Sequence, residues 1–409
     1  MAYEIIDINA DNLPELHRAV STAFGEESTD EKIADETIHI EYDRMLGVAD
    51  RGQLIAGAGV YSFDVTLPGG DAIPMAGVTW VGCLPSHRRK GILRKMMKYQ
   101  LADVVARGEA VAGLTASEAV IYGRFGYGVA TKFVDATVRK PGARFLVPPA
   151  VGGRTRYVWG DEAAKVLPPI YDEWRVRRPG AVSRSDRFWE RILIDRPYER
   201  HGASAAFRVV HEDRQGRADG FVSYRIKGGE LDVDNTVIVR EVIAADPEVE
   251  AALWQFLFDL DLSEKYELQV QPVDSQVPWR LVDQRAYRCK GLWDFLWIRV
   301  LDAPVALAAR RYATDDALVI DVVDAFRPKK KAEGRFRLEG GPDGAICTRE
   351  KSARADITTS VEALGSAYLG GVKWSTLAAA GRVTGAPEAL RRADAMFVST
   401  PLPFCNTGF

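Results

Sequence analysis

A chain of 409 residues has material for two or three domains, because a single hydrophobic core rarely grows beyond about 250–300 residues. With 47% hydrophobic and 27% charged residues it reads as an ordinary globular protein, and a formal net charge of -3 gives no electrostatic reason to expect nucleic acid or an anionic membrane as partner. No apolar run approaches the roughly 18–20 residues of a membrane span, and Met1-Ala2-Tyr3-Glu4 lacks the basic-then-apolar start of a secretory signal, so a cytoplasmic location is expected. Cys83, Cys289, Cys347 and Cys405 are scattered without metal-ligand spacing and read as free thiols, with no metal site.

In chain order, the first 140 residues alternate helical and strand patterns. An amphipathic start at 13–24 is followed by strands near 53–63 and 77–83, a helix over 91–106 and a strand at 110–115, an α/β layer arrangement. In the helix, Leu93, Met96, Met97, Leu101, Val104 and Val105 share one face while Lys90, Arg94, Lys95 and Lys98 fall elsewhere. Around 143–156 the pattern lapses into Pro148-Pro149 and Gly152-Gly153, a linker composition. A second mixed region follows, with helices near 162–176 and 187–194, strands near 207–211, 220–226 and 235–244, and a helix from Pro247 through Leu260. A third unit, starting near Leu301, has strands near 317–323, 334–338 and 345–348 and helices at 360–369 and 374–380, an α+β order. The basic run at 328–331 reads as a solvated loop. The expected domains are 1–145, 146–298 and 299–409.

The segment from Val78 to Arg94 carries the strongest chemical signal. A strand runs into Ser86-His87-Arg88-Arg89-Lys90-Gly91 and then into the helix. A helix N-terminus leaves N–H groups unpaired and carries partial positive charge, so it binds a pyrophosphate if the turn lets the backbone come close. Gly91 permits that approach, and Arg88, Arg89, Lys90 and Arg94 add charge suited to phosphate oxygens. The residues alone leave a basic loop capping a surface helix as the alternative. In the second region the equivalent turn, Ile243-Ala244-Ala245-Asp246-Pro247-Glu248, has acids and a proline where a phosphate cradle needs glycine and bases, so no cofactor is expected there. Further on, Ala116-Ser117-Glu118-Ala119-Val120-Ile121-Tyr122 follows a buried strand. Ser117 is placed to cap a short helix, Tyr122 sits one turn into it, and Gly123, Gly126 and Gly128 break the chain afterward. Taken alone, a tyrosine so placed is equally a core residue.

The run Arg88-Arg89-Lys90-Gly91-Ile92-Leu93 resembles the pyrophosphate motif of the GNAT acetyltransferases, Gln/Arg-x-x-Gly-x-Gly/Ala, with Leu93 where the commonest members have a small residue. That departure is familiar in the enhanced intracellular survival (Eis) proteins. The resemblance to them extends over the whole chain and implies two tandem GNAT-like mixed-sheet regions followed by a domain similar to sterol carrier proteins. It implies acetyl-CoA as cosubstrate, no metal, and a homohexamer. It further implies that Tyr122 is the proton donor to the departing thiolate and that the terminal carboxylate of Phe409 is the base. Contacts to the cofactor would come from Val81, Gly82, Cys83, Arg89, Lys90, Gly91, Ile92, Leu93, Arg94, Ser117 and Glu118.

An amine attacks a thioester only after losing its proton, so a base and a geometry that aligns the reactants are needed, with no covalent intermediate. A backbone N–H on the splayed strand 81–83 would meet the oxyanion, and Cys83 is then a channel wall rather than a nucleophile. Between Gly25 and Asp43, Glu26, Glu27, Asp30, Glu31, Asp35, Glu36, Glu41 and Asp43 stand against Lys32 alone, which suits a cationic amine of the aminoglycoside or polyamine class, although acids on exposed helix faces are commonly only solvation. The competing reading is an apolar-ligand carrier in which residues 301–409 supply the tunnel and the GNAT regions serve as scaffold.

Overall fold

A computed structural model describes residues 3–229 and 234–409; Met1 and Ala2, which open the N-terminal reading above, lie outside them. The chain forms two units: Met1–Thr131 with Phe295–Thr400 and Thr407–Phe409, and Lys132–Asp294 with Pro401–Asn406.

In the first unit a seven-stranded sheet runs in the order Glu4–Asp7, Leu46–Asp50, Gln53–Thr66, Ala72–Cys83, Val111–Thr115, Leu296–Val300, Gly128–Val129. Neighbours are antiparallel except Ala72–Cys83 and Val111–Thr115, whose parallel pairing requires a crossover, supplied by the helix Ile92–Ala106. That helix buries Ile92, Met96, Met97, Leu101 and Val104 against Val60, Ala76, Val78, Ala112 and Leu114 of the sheet and neighbouring core residues. Gln100, on the same buried face, donates from Nε2 to the Gly59 carbonyl at 2.9 Å. A second helix, Leu13–Phe24, has Pro14 in its first turn, ends at Gly25 in the left-handed conformation (φ 73°), and turns Leu13, Leu16 and Val20 inward.

The same unit holds a five-stranded sheet in the order Gly344–Arg349, Gly334–Gly341, Asp316–Val323, Ile357–Ser360, Val383–Gly385. The helix Val361–Ala367 starts at Ser360, whose hydroxyl accepts from the Ala363 N–H, and packs onto Leu296–Val300 and Gly128–Val129. There Gly128 and Gly365 have no room for a Cβ, so helix and strands approach closely.

The second unit has its own seven-stranded sheet: Arg288–Asp294, Lys132–Arg139, Ser263–Pro272, Asn235–Ala244, Ala218–Lys227, Phe207–Glu212, Arg154–Tyr157. Its parallel pair, Asn235–Ala244 with Ser263–Pro272, is joined by the crossover helix Pro247–Phe258. Val249, Leu253, Trp254 and Leu257 of that helix enter the core with Val222, Val239 and Tyr266.

The strands do not divide at the boundaries expected from composition. Lys132–Arg139, inside 1–145, pairs with Ser263–Pro272 and Arg288–Asp294 in the second unit's sheet. Leu296–Val300, straddling 298, pairs with Val111–Thr115 in the first. Strand partners are chosen by hydrogen bonding over long sequence separations, which local composition does not report. The proline- and glycine-rich stretch is likewise no free linker: Leu146 and Val282 N–H groups bond to Arg280 and Arg144 carbonyls, and Phe145 is buried in the second unit's core.

Candidate active site

The basic turn is built by two left-handed residues. Arg89 (φ 63°) and Gly91 (φ 81°) reverse the chain before Ile92, and at Gly91 a Cβ would meet nothing, so the glycine answers to conformation rather than crowding. Gly91 is the helix N-cap and has no side chain to close it, which leaves the first N–H groups of Ile92–Ala106 available. The basic residues divide in role. Arg88 Nη2 donates to the Ala23 carbonyl at 2.8 Å and Lys90 Nζ to the Ser86 carbonyl at 3.1 Å, so both hold the turn together. Exposed Arg89, among the described residues, makes no hydrogen bond or ion pair.

Beside this turn the central strands part. The parallel ladder pairs Met75 with Val111, Ala76 with Ala112 and Gly77 with Gly113, and it ends there, leaving the 78–83 backbone without a strand partner on that edge among the described residues. On its other edge Ala72–Cys83 carries a bulge, because its pairing with Gln53–Thr66 shifts between Gly57 and Gly59. Trp80 takes a left-handed φ of 56° at the bulge, a conformation unusual for an aromatic residue and characteristic of functional backbone. Burial pushes the Cys83 thiol up, against nearby Arg88 and Lys90, so it stays protonated.

At the tip of Val111–Thr115 the chain enters a one-turn helix, Ala119–Tyr122, and then a 3-10 turn, Gly123–Phe125. Its N-cap is Glu118, without a side-chain cap bond; the Ser117 hydroxyl, expected to cap, instead hydrogen-bonds the Tyr122 phenol. Tyr122 is 5% exposed, and burial pushes its pKa up to about 12, keeping the phenol protonated at neutral pH. Gly126 (φ 88°) turns the chain back, and the Tyr127 N–H bonds to the Tyr122 carbonyl at 3.3 Å.

The same strand tip receives the end of the sequence. Thr115 Oγ1 donates to the Phe409 main-chain oxygen at 2.9 Å, and the Phe409 ring meets Phe63 at 4.8 Å. Phe63 continues a row of aromatic rings: Tyr61 lies 6.2 Å from it, His39 stacks on Tyr61 at 4.7 Å, and Trp80 Nε1 donates to the Tyr61 hydroxyl at 3.2 Å. Of the acidic residues at 25–43, Glu41 accepts from Ser62, Asp43 pairs with Arg107 and Glu36 with His39, while Asp35 is buried. Glu26, Glu27, Asp30 and Glu31 remain exposed.

A cleft of about 970 Å³ runs between the turn and the parted strands. It is lined by Val81, Gly82, Cys83, Arg89, Gly91, Ile92, Leu93, Arg94, Ser117, Glu118 and Tyr122; Lys90 and Phe409 are not among its lining residues.

Family models describe residues 4–130 and 180–300 each as an acetyltransferase (GNAT) domain and residues 303–406 as a sterol carrier protein domain. The chain is 38% identical over 394 residues to an uncharacterized N-acetyltransferase of Streptomyces avermitilis, covering 95% of each. It is 35% identical to the N-acetyltransferase Eis of Mycobacterium tuberculosis over 86% of this chain and 85% of that one. The crystal structure of Eis1 from Mycobacterium abscessus superposes with a TM-score of 0.86 at 33% identity over the full length of both chains. The chain belongs to the Eis family of GNAT N-acetyltransferases.

As an Eis-family enzyme it is an acyltransferase, and GNAT acetyltransferases use acetyl-CoA. The cleft fits that molecule on its own terms: an uncapped helix N-terminus and an unpaired arginine for a pyrophosphate, and an open strand edge for an extended amide-bearing arm. The expected fold class, two GNAT regions and a sterol-carrier-like domain, is the one found. Sequence reasoning missed the aromatic row. Its signal was available in Tyr61 and Phe63, two apart on one strand and therefore on one face. It also missed Phe24, Val120, Ile121 and Phe125 as walls of the cleft. Among the described residues no helix is long and apolar enough to cross a membrane.

Proposed function

We propose that this enzyme transfers acetyl from acetyl-CoA to amines of a cationic small molecule, aminoglycoside-like or polyamine-like, within a ternary complex. The observation that carries the reading is the convergence on Thr115: the Tyr122 turn follows this residue in sequence and the Phe409 main-chain oxygen is hydrogen-bonded to it. In the reading, the Phe409 carboxylate takes the proton from the ammonium, directly or through a water. Tyr122 then gives its proton to the departing thiolate, and burial keeps that proton on the phenol until it is needed. Acetyl-CoA supplies the activated thioester. Arg89, Lys90, Arg94 and the N–H groups after Gly91 bind its phosphates. Ile92 and Leu93 line that end, and Ser117 and Glu118 border the reacting end. The 81–83 backbone orients the arm and presents a donor to the oxyanion, with Cys83 as wall.

The exposed acids Glu26, Glu27, Asp30 and Glu31 support a cationic acceptor, since carboxylates attract ammonium groups. The oligomer proposed is a hexamer and the location cytoplasmic; sedimentation and cell fractionation test these. For the mechanism, Tyr122→Phe is expected to lower kcat by about 100- to 10,000-fold while acetyl-CoA affinity stays unchanged by calorimetry. Extending the chain by a few residues past Phe409 displaces the carboxylate and lowers kcat similarly. Full activity in the extended protein removes the carboxylate as base.

A further inference from the structure

Beneath the Tyr122 turn lies an ion pair sealed from solvent. Arg299, on the strand Leu296–Val300, is 0% exposed; Asp324, one residue past Asp316–Val323, is 1% exposed, and the two meet at 2.5 Å. Asp324 Oδ1 also accepts the N–H groups of Phe326 and Arg327 at 3.2 and 3.0 Å, which fixes a tight corner in the sterol-carrier-like region. This corner reaches both walls of the cleft. Phe326 meets Phe125 edge-on at 4.9 Å, and the Arg94 guanidinium stands 5.5 Å from the Phe326 ring centre. Arg327 Nη1 donates to the Leu101 carbonyl of the helix Ile92–Ala106 at 2.9 Å. The Arg299 guanidinium packs against Gly126, which has no room for a Cβ there, and Tyr127 meets Tyr122 edge-on at 6.1 Å.

A sealed ion pair contributes little net stability relative to apolar residues of the same size, and its best-attested use is to fix one geometry over its alternatives. Here the geometry concerns the two elements that must stay aligned for proton transfer. We propose that the 324–327 corner is a positioning element of the acetyl-transfer site, holding the Tyr122 turn and the cofactor helix in register through Arg299, Phe125 and Leu101. The inference rests on the proposed roles of Tyr122 and the basic turn. It gives the third domain a part in catalysis that requires no ligand of its own.

The test compares Phe326→Leu and Asp324→Asn with Asp316→Asn. Asp316 pairs with Arg392 in the same domain, and neither lines the cleft. In Phe326→Leu, kcat falls by about ten- to a hundredfold with amine KM within about twofold, because misplaced groups slow the chemistry without weakening amine binding. Coenzyme A affinity, read by calorimetry, falls at least about threefold as Arg94 loses the ring beneath it. Asp324→Asn moves the same quantities in the same direction if it folds; if it does not, Phe326→Leu decides. Wild-type kcat and coenzyme A affinity in Phe326→Leu overturn the proposal, as does an equal loss per folded molecule in Asp316→Asn. Should the wild type acetylate no amine, the acetyl-transfer reading fails by itself, and the coenzyme A affinities still decide whether the corner positions the helix.

Discussion

The two crossover helices follow the same local topology and begin in opposite ways. Ile92–Ala106 starts at Gly91, left-handed and uncapped. Pro247–Phe258 starts at Asp246, whose Oδ1 accepts the Glu248 N–H at 2.7 Å. Glu248 is in turn held by Arg280 and by the Ala150 N–H, and the Gln276 amide reaches the Pro247 carbonyl at 2.9 Å. One N-terminus leaves its first donors without a side-chain cap, whereas the other has its Glu248 N–H capped by Asp246 and places carboxylates where an anion would lie. The same strand, turn and helix topology thus carries opposite electrostatics at its two helix starts, and the residue at the cap sets the difference.

The most severe way to break this contrast is to close the open end. Gly91→Asp places a carboxylate and a Cβ at φ 81°, and it is expected to weaken acetyl-CoA binding by about a hundredfold, the loss of one or two charge-assisted hydrogen bonds. Calorimetry measures it, and undiminished affinity would show that the helix N-terminus is not the anion site. A smaller change sharpens the reacting side of the same region. Thr115→Val removes the hydroxyl that holds the Phe409 oxygen, so kcat drops about tenfold in steady-state assays while acetyl-CoA affinity is kept. The smallest effect belongs to the closed end. Asp246→Ala costs about 1 kcal/mol of stability in denaturant melts and leaves kcat per folded molecule at the wild-type value.

Much of the open end was legible from sequence because its signals are local. Arg88 through Gly91 followed by a helical pattern needs only a few consecutive residues, and the structure places that turn, Tyr122 and most of the expected lining on one cleft. The division of labour among the bases was not legible: Arg88 spends its donor on the Ala23 carbonyl, which only tertiary structure brings within reach, and Lys90 bonds back to the Ser86 carbonyl, a choice the spacing alone does not dictate. Ser117 read as a cap because serine before a short helix commonly is one, yet a buried phenol nearby competes for its hydroxyl. The acid count at 25–43 overstated free charge, since Glu41 and Asp43 find partners at Ser62 and Arg107. The exchange of strands between the two units was out of reach for the same reason of distance. Nothing near residue 132 or residue 296 reports a partner more than a hundred positions away.

That exchange has a consequence for biosynthesis. The first unit's sheet lacks Leu296–Val300, and Gly128–Val129 lacks its strand partner there, until the ribosome has made residues 132–300. At about 5–20 residues per second the delay is on the order of ten seconds or more. The second unit's sheet, by contrast, closes with Arg288–Asp294, before that missing strand emerges. Throughout that delay the first unit exposes an unpaired edge at Val111–Thr115 while the inserted half is still being made, a period in which a nascent-chain chaperone has the most to protect.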